Sequence, residues 1–422
     1  MRAMMWFTRD LRLDDQPALR MAAEAEELLC VFVVDPLGFR QAHWQSSSVG
    51  RHGWRFLRQS LDALDQRLRE LGQRLHIAIG EPTTVVPELA RQHAIDHVFV
   101  ARQPGTEEYQ QQEKVRLDLA GSAQLHVIET LSVFREGILP FELSQLPETF
   151  SRFRKTVERH ELTHLEPLEP PRSLPPAPGL DSDEREALPP VDLTACPHFS
   201  GGEVPARERL DYYLFESHCI ATYKQTRNAL DEPDASSRLS PWLANGSLSV
   251  RRTAQEIARY QDAHGRNEST YWLWFELLWR EYFYWYALAH HERLFARSGV
   301  TRGQSHTRCD PDRYEAWTQG RTDWPLVNAA MNQLRRTGWI SNRARQIVAS
   351  CFVNELELDW RYGAAWFQEQ LVDHDVASNW GNWQYLAGVG ADPQQKRWFN
   401  LEKQQQQFDP QGIFVARWAG DH

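Results

Sequence analysis

The sequence is poor in several features that settle a protein's class quickly. Its five cysteines, Cys30, Cys196, Cys219, Cys309 and Cys351, form no CxxC pair. That excludes a disulfide framework and a cysteine-ligated metal cluster, and it fits a reducing cytoplasm. Positive charge is short: 47 Lys and Arg stand against 57 Asp and Glu, a formal net charge of -10. A generic nucleic-acid coat is excluded, so any DNA binding must come from a local basic patch. Long apolar runs are missing too. The opening MRAMMWFTRD has too short a run for a signal peptide. The most aromatic stretch, WLWFELLWREYFYWYALAH, is broken by Glu276, Arg280 and Glu281 and is no membrane span. No GxGxxG follows the first apolar run, which argues against an ordinary dinucleotide site there.

Tryptophan, by contrast, is abundant. The chain has 17, and 14 of them follow Pro241. They form either a large aromatic core in a helical domain or rings that stack on, or pass electrons to, a flat cofactor. Composition alone favours the core.

At 422 residues the chain is too long for one ordinary core, so two domains are expected. Short apolar runs at 4–7, 28–34, 75–79, 97–101 and 125–129 read as buried strands. Helical patterns lie between them, the clearest with Leu57, Leu61, Leu64, Leu68 and Leu71 at three- and four-residue spacing. Repeated strand–helix–strand units predict a parallel, Rossmann-like sheet covered on both faces, an α/β domain over 1–130. Residues 131–202 read as a connector, with eight prolines between Glu166 and Val191. From 203 to 422 the patterns predict an all-helical domain; one helix is closed by Gly265.

Four stretches carry side chains able to do chemistry. In YKQTRNALDEPDASSRLSPWLANGSLS, Ser236, Ser237 and Ser240 precede Pro241 and a helical pattern. Hydroxyls and free N–H groups at a helix start make an anion cradle, or simply a good cap. Tyr223 and Arg227, four apart, share a face. In WFELLWREYF, Glu276, Trp279 and Arg280 fall at i, i+3 and i+4. This is either an internal ion pair or a partly dry carboxyl in aromatic surroundings, suited to sharing a proton. RRTGWISNRARQ places Asn342, Arg345 and Gln346 on one face of the densest basic stretch. It reads as a solvated helix end or as a phosphate-contacting rim with Trp339 nearby. LVDHDVASNWGNWQY sets Asp373 and Asp375 beside Asn379, Trp380, Trp383 and Tyr385. Two acids in a core need cations or donors. Arg345 suits one; a ribose hydroxyl or a flavin N–H suits the other. Magnesium or calcium is the rival, without further carboxylates or an EF-hand spacing to support it.

These motifs, with WFTRDLRLDDQPAL at the start and RWFN and FDPQGIFVARW near the end, resemble the photolyase/cryptochrome family. SNRARQ and NWGNWQYLAGVG resemble its DASH branch, and the likeness runs along the whole chain. The resemblance implies an N-terminal α/β domain and a helical domain holding a folded FAD. Tyr223, Ser236, Ser237, Leu239 and Ser240 would hold the FAD phosphates. Asn342 would lie beside the reactive flavin nitrogen. Arg345 would pair with Asp373, Asp373 and Asp375 would bind the isoalloxazine and nearby sugar, and Arg280 and Asn379 would line the same pocket. Trp383 would be the nearest ring of an electron-transfer chain and Trp360 the second. The third falls near Thr307, where this sequence has no tryptophan; Trp317 or Tyr314 is the substitute.

For DNA the resemblance implies light-driven repair of a flipped cyclobutane pyrimidine dimer by an electron from reduced FAD. Glu276 would hydrogen-bond the dimer, Trp279 would pack on it, and Arg343 and Gln346 would sit at the pocket mouth. Tyr385 stands where many duplex photolyases carry a second tryptophan, which implies a preference for single strands. A folate antenna, 5,10-methenyltetrahydrofolate, would bind between the domains with Glu108 as its acidic contact. The expected protein is a cytoplasmic monomer that binds damaged DNA, no membrane and no metal. The alternative is a blue-light photoreceptor that signals rather than repairs, although no long tail follows Ala416.

Overall fold

The computed structural model describes residues 1–162, 165–179, 184–193, 199–391 and 397–419. Cys196 lies outside them. Five parallel strands form one sheet: β1 (Arg2–Phe7), β2 (Glu27–Val34), β3 (Leu75–Ile79), β4 (His97–Ala101) and β5 (Gln124–Ile128). Their spatial order is β3-β2-β1-β4-β5, the doubly wound pattern, with β1 in the middle. In register, Met5 lies between Cys30 of β2 and Phe99 of β4.

The apolar runs are continuous because both faces are covered. Met5 and Phe7 of β1 point into one core with Trp54, Leu61, Leu64 and Leu68 of the helix Arg51–Glu70. Met4 and Trp6 point into the other, with Val86, Ala90, Val115 and Leu119 from the helices on the opposite face. The stretch after β5 is more than a strap. Phe150–Arg159 is a helix capped by Thr149, and its Phe150 and Phe153 are buried.

Every regular helix or strand described after Gly202 is helical. Val250–His264 ends at Gly265, which adopts φ +87 as a helix stop requires. Glu268–His290 starts from an Asn267/Thr270 capping box and is apolar nearly all round, so it runs through the core of the helical domain. Pro325–Thr337 and Asn342–Ser350 are separate helices, divided by Gly338 at φ +73.

The two domains are joined by buried polar contacts. Arg12, 1% exposed, donates to the carbonyls of Asp14, Asp15, Thr130 and Gly246. Arg252 binds Asp14 at 2.7 and 3.0 Å, and Arg251 lies 3.5 Å from Asp15. Gly246 has φ +73, and a Cβ there would collide with the backbone of Arg9, so glycine lets the two backbones touch.

Candidate cofactor and substrate site

The serine stretch forms an open loop. Arg209 donates to the carbonyls of Ser236 (3.1 Å) and Ser237 (2.9 Å) and to Asp234 Oδ1 (2.9 Å). Arg238 takes a left-handed backbone (φ 53) and lays its guanidinium 4.4 Å from the Trp339 ring centre. The carbonyls are thus turned towards Arg209. Among the described residues, the hydroxyls of Ser236, Ser237 and Ser240 have no recorded partner, and the helix Ser240–Asn245 has no side-chain cap. The simple-cap reading of these serines is therefore not what the structure shows. Tyr223 and Leu239 pack beneath, both buried, and burial raises the Tyr223 phenol above its ordinary range.

The acid run is tied down by cations and by a helix start. Arg345 Nη2 reaches both oxygens of Asp373, at 3.0 and 2.8 Å, and its Nε holds the Ile340 carbonyl. Asp375 caps the helix Val376–Leu386 by accepting from the Ser378 N–H at 2.7 Å. Burial alone would raise the Asp375 carboxyl. The Arg280 charge, the Ser378 bonds and the Arg9 charge outweigh it and hold the carboxyl below its ordinary value. Arg9 comes from the loop after β1 and donates to the His374 carbonyl at 3.0 Å. Arg280 lies between the domains, its Nη1 on the Leu131 carbonyl at 2.7 Å. Asn379 is buried, with its amide on the Ala364 carbonyl at 2.9 Å. Asn342 opens its helix after the Ser341 cap and is exposed. So cations, rather than a second set of carboxylates, meet the acid pair.

The donor set fits FAD. Three serine hydroxyls without protein partners suit phosphates; an exposed amide, a paired acid and a capping acid suit the flavin ring and a ribose.

Next to the acids lies an aromatic floor. Trp383 is 2% exposed, ringed by Phe367, Phe352 and Trp317 at 5.1, 5.7 and 6.2 Å between ring centres. Any Cβ at Gly363 would overlap its indole, so glycine makes room for that ring. Trp360 packs edge-on to Trp380 at 5.8 Å and donates its indole N–H to the Arg297 carbonyl.

A second cluster combines rings and charge. Trp279 stacks on Phe150 at 3.8 Å and 14° and meets Tyr385 edge-on at 5.8 Å. Glu276 is not a lone carboxyl among rings, nor the partner of Arg280: Arg227 binds it. Arg343 lies over the Phe408 ring at 4.8 Å and donates to Asn228 at 3.1 Å. Burial lowers the Arg343 guanidinium, and the nearby Arg227 charge adds to that. Gln346 is half-buried on the same helix. Arg397 sits 4.4 Å over the Tyr385 ring. Of these arginines, Arg397 lies on the Tyr385 ring, Arg227 on Glu276 one helical turn from Trp279, and Arg343 close enough to Arg227 to feel its charge.

Glu108 lies near a different opening. A cavity of about 330 Å³ is lined by Thr106, Tyr109, Gln110 and residues 290–293, with the Glu108 carboxyl folded back over Gly105. Burial, with Arg293 and His291, pushes His290 down to about 4, so its ring is neutral at pH 7.

Spacing did not reveal Arg227, Arg209, Arg9 or Phe150 in these roles. Arg227 was legible as a face-sharing neighbour of Tyr223, but Glu276 lies 49 residues away. Nothing local marks Phe150 as the ring under Trp279.

An α/β sheet domain followed by helices that carry a flavin-type donor set defines the class, and the chain belongs to the photolyase/cryptochrome family. The DNA photolyase domain matches residues 3–174, and the FAD binding domain of DNA photolyase matches 272–421. Within the family the resemblance is to the DASH type. Cryptochrome DASH of Idiomarina loihiensis is 45% identical over 98% of this chain and 92% of its own length. The crystal structure of the Synechocystis sp. PCC6803 cryptochrome superposes with a TM-score of 0.93 at 36% identity, covering 99% of this chain and 88% of that one. A class III photolyase from Agrobacterium tumefaciens gives 0.86 at 28% identity, covering 99% and 86%. The cofactor is FAD. Among the described residues no helix is long and apolar enough to cross a membrane.

Proposed function

We propose that this chain is a monomeric, single-strand-preferring photolyase for cyclobutane pyrimidine dimers. The observation that supports it best is the Trp279–Tyr385 pair, backed by Phe150, with Glu276–Arg227, Arg343 and Arg397 around it. Two rings at an edge-on angle form a corner for a flipped pyrimidine dimer, and the arginines supply phosphate contacts that the acidic whole withholds. Opening a duplex costs stacking and pairing energy, and a tyrosine offers less stacking area than an indole. A dimer in a single strand escapes that cost.

Bound FAD, when reduced and lit, supplies the electron that opens the cyclobutane ring. The chain's own residues prepare the place. Ser236, Ser237 and Ser240 hold phosphate oxygens. Asp373, fixed by Arg345, and Asp375, fixed by Ser378, orient the ring end. Asn342 and Asn379 line the pocket without adding charge. Glu276 exchanges its Arg227 partner for a dimer N–H, and the freed Arg227 turns to phosphate. Trp279 excludes water from the dimer face. The cavity beside Glu108 is the folate antenna site, with the neutral His290 ring offered to a flat pteridine.

The test is illumination of the FAD-loaded chain with dimer-bearing single- and double-stranded oligonucleotides. Repair of the single strand well ahead of the duplex is expected. Equal rates on both would remove the strand preference, and no repair on either, with flavin reduced, would leave a photoreceptor instead.

A further inference from the structure

Where the resemblance places a third tryptophan, the sequence has Thr307, so an electron route from the surface needs another end. We infer that Trp380 and Trp44 form that route, leaving Trp360 through the N-terminal domain; the inference rests on the flavin reading above.

Three indoles lie in contact in order. Trp360 meets Trp380 at 5.8 Å and 75°, and Trp380 meets Trp44 at 5.0 Å and 54°. Trp380 also sits one turn from Trp383 on the same helix. Ring contact matters because electron tunnelling falls steeply with the gap between rings. The inner members are locked to groups that take no proton: Trp360 Nε1 donates to the Arg297 carbonyl at 3.1 Å, and Trp380 Nε1 to the Gln368 amide oxygen at 3.0 Å. A hole on either ring keeps its proton and moves on. Trp44 is half-buried on a left-handed turn (φ 56), so one end of the row reaches solvent. The Arg361 guanidinium lies 5.7 Å from its ring centre but is neutralised by Asp359 at 2.7 Å.

The competing branch ends in the core. Trp317 touches Trp383, yet it is 0% exposed and its N–H is spent on the Val348 carbonyl at 3.0 Å. A soluble reductant cannot reach it.

The electrons balance as follows. One electron passes from Trp383 to the lit, oxidised isoalloxazine; Trp360 refills Trp383, Trp380 refills Trp360, and Trp44 refills Trp380. The Trp44 cation radical releases its indole proton to water. A soluble thiol returns one electron and one proton to Trp44, and two thiyl radicals join as a disulfide.

The experiment uses the full FAD-loaded chain in blue light, without oxygen, with dithiothreitol as the thiol. Bleaching of oxidised-flavin absorbance and the electron spin resonance of trapped tryptophan radicals are read together. Trp44→Phe and Trp380→Phe should bleach several-fold more slowly and lose the neutral indolyl signal. Trp44→Tyr, which can be oxidised, should recover most of the rate, an effect that packing alone does not produce. Dark reduction by dithionite should be the same in all. Wild-type bleaching in both Phe variants, or loss of the radical in Trp317→Phe alone, overturns the route while the flavin reading stands. A preparation that takes up no FAD overturns both.

Discussion

Two polar clusters in this molecule are built from the same residue types and end differently. At the domain joint, Asp14 and Asp15 meet Arg252, Arg251 and Arg12, and Asp15 also accepts from Ser249 and the Leu168 N–H. Glu203 takes the N–H groups of Leu13 and Asp14. Each charge there has its answer inside the protein. At the site, Asp373 and Asp375 are answered too, but the serine hydroxyls of the loop and the Asn342 amide reach solvent and, among the described residues, bond no protein group. A network that holds a fold closes on itself; one that holds a ligand leaves ends. The difference lies in completeness, not in composition.

That contrast can be broken from either side. Asp15→Ala should have the largest effect, because it strands Arg12 and Arg251 in the joint. Removing one partner of a buried pair costs about 3–5 kcal/mol, which denaturant unfolding will show. A loss within surface-mutation range would mean that the joint is not closed as described. Glu276→Ala should come next, and on activity. A charged hydrogen bond to the dimer is worth roughly 1.5–3 kcal/mol, so repair should fall about ten- to a hundred-fold with FAD still bound. Flavin loss in this variant would move Glu276 from the substrate side to the cofactor side.

A third change concerns pH. Glu129, bonded to the Tyr284 hydroxyl, has its carboxyl raised from 4.5 to about 7, first by burial. Its folded value exceeds its unfolded one, so the native state holds the proton more tightly. The stabilisation is fully present below about pH 4.5 and is lost as pH rises through about 7. Glu129→Gln should flatten that part of the unfolding profile; an unchanged slope would place the titration elsewhere. The smallest effect is expected from Ser237→Ala. Its hydroxyl serves no protein group, so stability should move by less than about 0.5 kcal/mol while FAD dissociates faster. A clear destabilisation of the flavin-free chain would show the loop to be closed after all.

Much of this was legible in the chain. The five strands stood out because a doubly covered sheet demands unbroken apolar runs, and the stop at Gly265 because a left-handed helix end favours glycine. The Arg345–Asp373 pairing followed from asking what could meet a buried acid. Other parts were not. The helix Glu268–His290 is apolar on nearly every side, so its period could not tell which face meets Phe150 and which meets Arg227. The Arg227–Glu276 pair joins residues with no local relation, and the choice of Arg227 over Arg280 rests on where Arg280 is drawn by the carbonyls of Leu131 and Leu243. Arg209 gives no sign in sequence that it turns the serine loop.

The reach of Arg9 has a practical corollary. An arginine rooted beside the first strand grips the peptide between Asp373 and Asp375, while Phe150 props the indole of Trp279 from outside the FAD-matched segment. Anyone wishing to graft the flavin-holding half onto another scaffold, or to express it by itself, would be cutting through its own supports. The two halves are better treated as one inheritance than as interchangeable parts.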